Sequence, residues 1–483
     1  MDLILNAAVW VNGYLWNYIL IFLLIGMGLF FTIRTGFVQI RFFGEGVRRL
    51  FGNFSLRGGK QESGMTSFQA VATAIAAQVG TGNIVGACGA ILIGGPGAIF
   101  WMWVIAFFGM ATNYAEAVLA QKTRTVAEDG SIKGGPVYYM KYAFKGSFGT
   151  FLAVFFSIAA VLALGFFGSM VQSNSIASTM STAFGIPTWV VGIAIVVLAA
   201  FIYIGNVQRL ASVVEKLVPF MAIIYIVGGI AVLIANAANI IPAIQLIFYC
   251  AFNPEAQVGG VTYGLIAALL QGAKRGLFSN EAGMGSTPHA HAQANVKTPH
   301  EQGVVAMVAV FIDTFVVVTM TALVVISVLY VGDGPLALDA TGATAGLANT
   351  NMAQVAFASL MGEGGGAIFV AICLAFFAFS TILSWNLFAK INFTYLFGKK
   401  FLIVFFVIAL GFTFAGSLLS SAVVWELTDT FNGLMVIPNA IALFALSGSV
   451  VSCVKTRGAD CRSAKEKALD EAAAAELDEP AEA

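Results

Sequence analysis

The sequence predicts an all-α polytopic membrane protein with about 11 transmembrane helices: ten in a 5+5 inverted repeat, preceded by one additional N-terminal span. Three observations predict it. Of 483 residues, 59% are hydrophobic and 10% charged, with a mean hydropathy of +0.89, whereas a soluble domain carries about a quarter of its residues as charged ones. Apolar runs long enough to cross about 30 Å of hydrocarbon, which takes about 20 helical residues, recur along the whole chain. Two of those runs, at corresponding places in the two halves, are interrupted by glycines and small polar residues, the mark of an inverted repeat.

The expected spans are 14–34, 66–92, 95–120, 148–180, 188–206, 211–236, 261–292, 303–331, 365–396, 400–420 and 432–453. The first apolar run lacks a basic leader and a small-residue cleavage site, so it reads as a retained span. Basic residues orient the chain, because cytoplasmic loops retain Lys and Arg. Arg34, Arg41, Arg48, Arg49, Arg57 and Lys60 place the first loop inside and the N-terminus outside. Lys122, Arg124, Lys133, Lys141, Lys145, Arg209, Lys216, Lys297, Lys390, Lys399 and Lys400 follow the same rule, while the outer loops (237–260, 332–364, 421–431) carry Glu255, Asp333, Asp339, Glu363, Glu426 and Asp429 and no cation. Residues 36–51, alternating basic and aromatic positions, read as an amphipathic helix at the inner interface. The chain divides into 1–60 (first span and interfacial helix), 61–454 (ten-helix core) and 455–483, a charged, Ala-rich, solvated cytoplasmic tail. Net charge is zero and no basic block suggests nucleic acid. The cysteines (Cys88, Cys250, Cys373, Cys453, Cys461) are scattered, with no spacing for a metal or a disulfide framework.

Residues 76–97, AAQVGTGNIVGACGAILIGGPG, hold seven glycines around Gln78, Thr81 and Asn83. A glycine costs about 1 kcal/mol relative to alanine in a helix interior, so Gly80 and Gly82 flanking Thr81 mark where the helix unwinds. The second interruption is GAKRGLFSNEAGMGSTP, 272–288. Broken backbone at membrane depth is tolerated only where it is buried in protein or lines a cavity, and paired breaks point to a secondary transporter. Close packing of helices through small residues accounts for glycines too, but not for the Thr-Gly-Asn and Ser-Asn-Glu clusters beside them.

Lys274, Arg275 and Glu281 fall inside a span, where an unpaired charge costs about 2.5–3.5 kcal/mol. They read as a structural ion pair set holding the broken helix, in preference to contact with an ionic substrate, and Asp313 and Glu116 on neighbouring spans are candidate partners for the cations. Gln172 and Asn174 suit either interhelical hydrogen bonding or a pocket. Ser380, Thr381, Ser384 and Trp385 follow a run of phenylalanines, with Trp385 one turn beyond Thr381 on the same side. His289 and His291 are two apart and so point to different helix faces, which speaks against zinc. No hydrolase, nucleotide-binding or paired-carboxylate motif is present.

With VGTGNIVGACGAILIGGPGAIFWMWVIAFFGMATNYAE (79–116) and QGAKRGLFSNEAGMGSTPHAHAQA (271–294), the chain resembles the alanine or glycine:cation symporters, also called sodium:alanine symporters, over about residues 10–455. It departs from them after the second break: where the family commonly has Ser-Ala-Pro continued by Asn-Ala-Ala-Ala, this chain has Thr287, then His289 and His291. The resemblance implies a LeuT-type fold of the amino acid-polyamine-organocation superfamily and uptake of small neutral amino acids with sodium, or in some members protons. It implies a substrate site of Thr81, Gly82 and Asn83 on the first broken helix and Phe278, Ser279, Asn280 and Gly283 on the second, completed by Gln172 and Trp385. It also implies a sodium site from the carbonyls of Ala76, Val79 and Phe377 with the hydroxyls of Ser380 and Thr381. The physical chemistry agrees: half-helix ends match the carboxylate and ammonium of an amino acid, and a hard cation takes oxygen ligands. The expected function is sodium-coupled symport of alanine or glycine in the cell membrane, with the amino acid, sodium and the bilayer as partners and no obligatory protein partner evident. The alternatives are a proton-coupled or broader neutral amino acid carrier and, more remotely, an ion channel or a membrane enzyme.

Overall fold

The computed structural model describes residues 2–52, 64–128, 130–203, 207–253, 255–258, 261–337, 346–468 and 470. Among the described residues, eight helices are long and apolar enough to cross a membrane, and nine if the bent pair Ser67–Gln78 and Gly82–Gly94 is one span. Thr188–Tyr203 and Leu265–Asn280, where two further spans were expected, have 16 residues each and fall short of that length. Large apolar side chains face outward all around the bundle, among them Phe22, Val197, Ile223 and Ile403. In water so much exposed apolar surface would be a liability; in a bilayer it is the lipid contact.

Several boundaries differ from expectation. The first helical segment begins at Asp2, carries Trp10, Tyr14 and Tyr18 at its exposed end as an aromatic anchor, and continues to Arg34. The expected outer loops are partly helical: Ile240–Phe252 lies in one, and the helix Met352–Phe397 extends well into another, bent at Gly362 (φ 73°). The last long helix is Ser421–Ala445, so 421–431 is helix where a loop was expected. Arg57, Lys60 and Asp339 lie outside the described residues. The 36–51 stretch forms two short helices, Val38–Arg41 and Phe43–Gly52. The second packs on Pro299–Phe311 so closely that a Cβ at Gly46 would stand 2.4 Å from the Val304 carbonyl oxygen.

Two broken helices lie side by side at the centre. The first runs Ser67–Gln78, bends by 44° and resumes as Gly82–Gly94. The second runs Leu265–Asn280, unwinds and resumes as Pro288–Ala292. Leu265–Asn280 packs on Gly82–Gly86 and Ala87–Gly94, while Pro288–Ala292 packs on Ser67–Gln78, so the two are antiparallel. Their ends on the Lys- and Arg-rich side are joined by a short parallel ladder, Met65 opposite Ala294 and Thr66 opposite Asn295. Thr66 and Gln69 form a capping box there, which fixes where the first helix starts. Other glycines do what the packing alternative expects: a Cβ at Gly97 would meet the Cys250 and Ala251 backbone, and one at Gly272 the Ala98 carbonyl oxygen.

The tail corrects an expectation as far as it is described. Residues after Lys455 turn back onto the bundle, bury Cys461 and seat Glu466 between Lys122 (2.5 Å) and Ser449 (2.8 Å), with Tyr142 also donating to it. Burial alone would raise the Glu466 carboxyl, but the hydrogen bonds from Lys122, Tyr142, the Ser463 N–H and Ser449 outweigh it and hold the group down at about 2. A carboxyl lowered by folding contributes stability above its unfolded value and loses it as the pH falls toward the folded one. The docked tail should therefore resist proteolysis unchanged between about pH 8 and pH 5 and loosen only below about pH 4.5. Glu466→Ala should raise cleavage within 456–468 at neutral pH, measured by limited proteolysis in detergent.

Candidate substrate and ion site

The first break is made by Val79, whose φ −80° and ψ 86° leave the helix, and by Gly80 and Thr81, after which Gly82–Gly86 continues as a π-helical turn. Such turns are rare and gather at functional sites, because the wider spiral leaves backbone groups less tied to one another. The Gly80 carbonyl accepts from the Asn83 N–H (3.3 Å), and other freed groups take side-chain partners. The Gly80 N–H donates to Asn83 Oδ1 (2.8 Å) and the Thr81 N–H to Gln172 Oε1 (3.0 Å). Asn83 Nδ2 donates to Asp313 Oδ1 (2.6 Å), and Gln78 Nε2 crosses to the Asn280 carbonyl on the second broken helix (2.7 Å).

The second break is sharper. Glu281 is left-handed (φ 56°), and Gly283 (φ 89°) and Gly285 (φ 82°) hold conformations that a Cβ would strain. The Gly283 and Gly285 N–H groups converge on the two oxygens of Glu116 (3.1 and 2.9 Å), which also accepts from Asn439 Nδ2 (2.7 Å). Successive N–H groups in such a turn form an anion-binding nest, and here the anion is the protein's own carboxylate. Asn280 Oδ1 accepts from the Ala282 N–H (3.1 Å). Glu281 accepts hydrogen bonds from Trp385 Nε1 and Ser286 Oγ.

Every residue expected in the site is buried and gathered around these breaks. Phe278 and Trp385 meet edge to face at 5.6 Å, and a Cβ on Gly82 would touch the Phe278 ring and Ser279. Gln172 faces the first break, whereas Asn174 bonds the Gly416 and Leu419 carbonyls and only joins helices. Asn83 and Asn280 spend their amides on protein partners, so they brace the breaks. Among the described residues, Thr81 Oγ1, Gln78 Oε1 and Gln172 Nε2 at the first break, and Trp425 Nε1 on the ring beside Phe278, are polar atoms without a partner. A zwitterion offers both donors and acceptors for such atoms. The residues expected around an ion lie next to one another: Thr381 Oγ1 donates to the Ala76 carbonyl (2.7 Å) and the Phe377 carbonyl (3.2 Å), and Ser380 Oγ donates to the latter (2.8 Å). Val79 stands at the adjoining turn, its backbone out of helical register.

The intramembrane charges pair otherwise than expected. Neither Glu116 nor Asp313 reaches Lys274 or Arg275. Asp429 bridges both cations, 2.8 Å from Lys274 Nζ and 3.0 Å from an Arg275 guanidinium nitrogen, and Glu426 stands 3.5 Å from Lys274. Glu281 has no cationic partner among the described residues. The misreading began with treating 421–431 as a loop: Glu426 and Asp429 are three apart on a helix, a spacing that puts both acids on one face. The same helix supplies a wall that sequence reasoning missed, Trp425, with the Arg275 guanidinium 4.3 Å above its ring and the Phe278 ring 4.5 Å from it. His289 and His291 diverge as expected, His289 toward Asn392 and the Ser286 carbonyl, His291 toward Gln302.

A helical bundle with an apolar outer surface, built around two antiparallel broken helices whose breaks are braced by polar side chains, is the architecture of a secondary transporter. The chain belongs to the sodium:alanine symporter family, which it matches over residues 1–471; these are multi-pass membrane transporters, not enzymes. It is 40% identical over 446 residues to the sodium/alanine symporter AgcS of Methanococcus maripaludis, covering 92% of this chain and 95% of that one. It is 38% identical to the amino-acid carrier protein AlsT of Bacillus subtilis (90% and 88% covered) and 36% identical to GlnT of the same organism, named a probable sodium/glutamine symporter (92% and 88% covered). Among solved structures, a manganese transporter of Eremococcus coleocola aligns with 81% of this chain and 78% of that one at 13% identity and a TM-score of 0.43.

A Cβ at Gly80 would sit 2.3 Å from Thr381 Oγ1. Gly80→Ala should push Thr381 off the Ala76 carbonyl and cut uptake by at least about tenfold with a rise in the sodium requirement, whereas Gly44→Ala, which meets nothing within 4 Å, should behave as wild type. Uptake into proteoliposomes against sodium concentration measures both.

Proposed function

We propose that this protein is a sodium-coupled symporter that carries small neutral amino acids, alanine or glycine, into the cell by alternating access between two inverted halves of five spans each, in a LeuT-type fold with an additional N-terminal span. The observation that carries the reading is the bond from Thr381 to the Ala76 carbonyl (2.7 Å), which ties the long helix Met352–Phe397 to the first broken helix through atoms a sodium ion would take as ligands. The residues fit the ion: the Ala76, Val79 and Phe377 carbonyls and the Ser380 and Thr381 hydroxyls are oxygen donors without fixed charge. The antiparallel packing of the two broken helices supports the inverted repeat, and the resemblance to AgcS, named a sodium/alanine symporter, supports the substrate.

The substrate lies between the breaks. Its carboxylate takes N–H groups at the start of the Gly82–Gly86 turn together with Thr81, and its ammonium takes the carbonyl end of Leu265–Asn280, each half-helix offering the matching dipole. Gln172 and Gly283 border this space, and Phe278, Trp385 and Trp425 leave room only for a short side chain. The ladder of Met65–Thr66 with Ala294–Asn295 bars the exit on the basic side, and the Arg275–Asp429 pair over Trp425 bars the other. Sodium binding across the first broken helix and Met352–Phe397 biases which exit opens. A charge crossing 100 mV supplies about 2.3 kcal/mol, enough for roughly fifty-fold accumulation. The distribution of Lys and Arg puts the N-terminus outside and the tail in the cytoplasm.

Counterflow in proteoliposomes tests the class: exchange of labelled for unlabelled alanine marks a carrier, and its absence a channel. Ser380→Ala/Thr381→Ala should raise the sodium concentration for half-maximal alanine uptake by about tenfold or more. An unchanged value removes the ion from these hydroxyls. Competition by glycine, serine and glutamine then ranks the substrates.

A further inference from the structure

A groove of 510 Å³ runs along the lipid-facing side of the first broken helix. Its walls come from Phe43–Gly52, from Ser67–Gln78 with Val79, from Val207–Ala235 and from Ile312–Val318. The volume is that of a small-molecule site, about 300–1,000 Å³, but such sites carry a few directed polar groups. Here every lining side chain is apolar, so nothing orients a hydrophilic solute. Ile223, 62% exposed, leaves one side open to the bilayer. An empty groove forfeits dispersion contacts on both its walls and the adjoining lipid, which favours a hydrocarbon chain inside it.

The groove starts at the membrane interface and ends at mid-depth. Phe51, 61% exposed, belongs to the interfacial helix, whereas Val79 stands at the first break. Along Val207–Ala235, Ile226 is about ten residues past Lys216, roughly 15 Å of helix, or half of the ~30 Å of hydrocarbon. That is the depth of one leaflet. Two basic residues flank the interfacial end: Arg48, next but one to Leu50 on the wall, and Lys216, two residues before Val218 on the wall. Both are exposed, and neither pairs with an acid among the described residues. Arg49, by contrast, is committed to Glu45 and Glu301. Glu215, the acid beside Lys216 in sequence, is buried and accepts from Gln69 Nε2 (3.0 Å). Uncommitted Lys and Arg at the edge of hydrocarbon attract anionic lipid.

We propose that this groove binds one anionic phospholipid, its acyl chain between Ser67–Gln78 and Val207–Ala235 and its phosphate taken by Arg48 and Lys216. Position decides what the lipid does. Val79 lines the groove, and Met221, also on its wall, accepts from Ser380 Oγ (3.6 Å). The chain therefore packs the half-helix Ser67–Gln78 from outside, directly behind Ser380. It stabilises the arrangement in which Met65–Thr66 is laddered to Ala294–Asn295.

Native mass spectrometry of the purified full-length protein in detergent, titrated with dioleoylphosphatidylglycerol or dioleoylphosphatidylcholine, is the test. The wild type should retain one phosphatidylglycerol per chain about tenfold more tightly than phosphatidylcholine, and its thermal unfolding should move upward with the anionic lipid only. Arg48→Gln/Lys216→Gln should lose that preference. Ala222→Trp, which fills the groove, should lose both the retained lipid and the thermal shift. Lys145→Gln, which removes an exposed cation before Ser147–Ala160, should behave as wild type. Glycerol phosphate in excess should displace nothing, because it has no chain to seat. The proposal is overturned if the wild type retains the two lipids equally, or if Ala222→Trp folds and still retains phosphatidylglycerol. Displacement by glycerol phosphate overturns it too, as does an unchanged preference in Arg48→Gln/Lys216→Gln, a surface change that leaves the core intact and decides the matter if Ala222→Trp fails to fold.

Discussion

Backbone N–H and C=O groups have no water to turn to inside hydrocarbon, and each one left unpaired there costs several kcal/mol. A chain that breaks two helices at membrane depth must therefore supply other partners for what it frees. The polar side chains of this protein are largely disposed to do that. Gln172 takes the Thr81 N–H, Asn83 the Gly80 N–H, and Glu116 the N–H groups of Gly283 and Gly285, while Gln78 holds the Asn280 carbonyl. The breaks persist because the bundle around them donates and accepts in place of solvent.

That constraint orders the rest of the structure. Some braces come from within the broken pair, Asn83 and Gln78, and others from neighbouring helices, so the pair is also tied to a frame around it. Glu116 stands on Gly97–Thr123 and Gln172 on Ser169–Phe184. Ion pairs, by contrast, sit away from the breaks: Arg275, Lys274, Asp429 and Glu426 form one cluster near Trp425, and Lys122 with Glu466 another where the tail docks. The centre is served by neutral donors and by carboxylates without a fixed countercharge.

The glycines divide along the same line. Those at 80, 82, 283 and 285 stand at the breaks, whereas those at 97 and 272 let helices approach to contact. Both uses place glycine in an apolar run, so its presence alone does not tell one from the other. The neighbours do: Thr81 and Asn83, or Asn280 and Glu281, stand only where backbone needs a partner or a ligand.

The membrane setting, the positions of the two breaks and the family were legible in the sequence, because hydropathy and glycine placement are local properties and bilayer thickness converts them directly into spans. The residues that stand at the breaks, among them Thr81, Phe278 and Ser279, were legible for the same reason. Only the tertiary structure decided how charges pair across the bundle. Asp429 and Glu426 are more than 150 residues from Lys274 and Arg275, and 421–431 looked like a loop because Glu426, Thr428, Asp429 and Thr430 dilute the hydropathy of the second and third turns of the helix. Glu116 and Asp313 were visible as buried acids, but which N–H groups or hydroxyls would satisfy them depends on which helices adjoin. So does the wall formed by Trp425, because long-range contact is set by packing and is not encoded in any local pattern of residues.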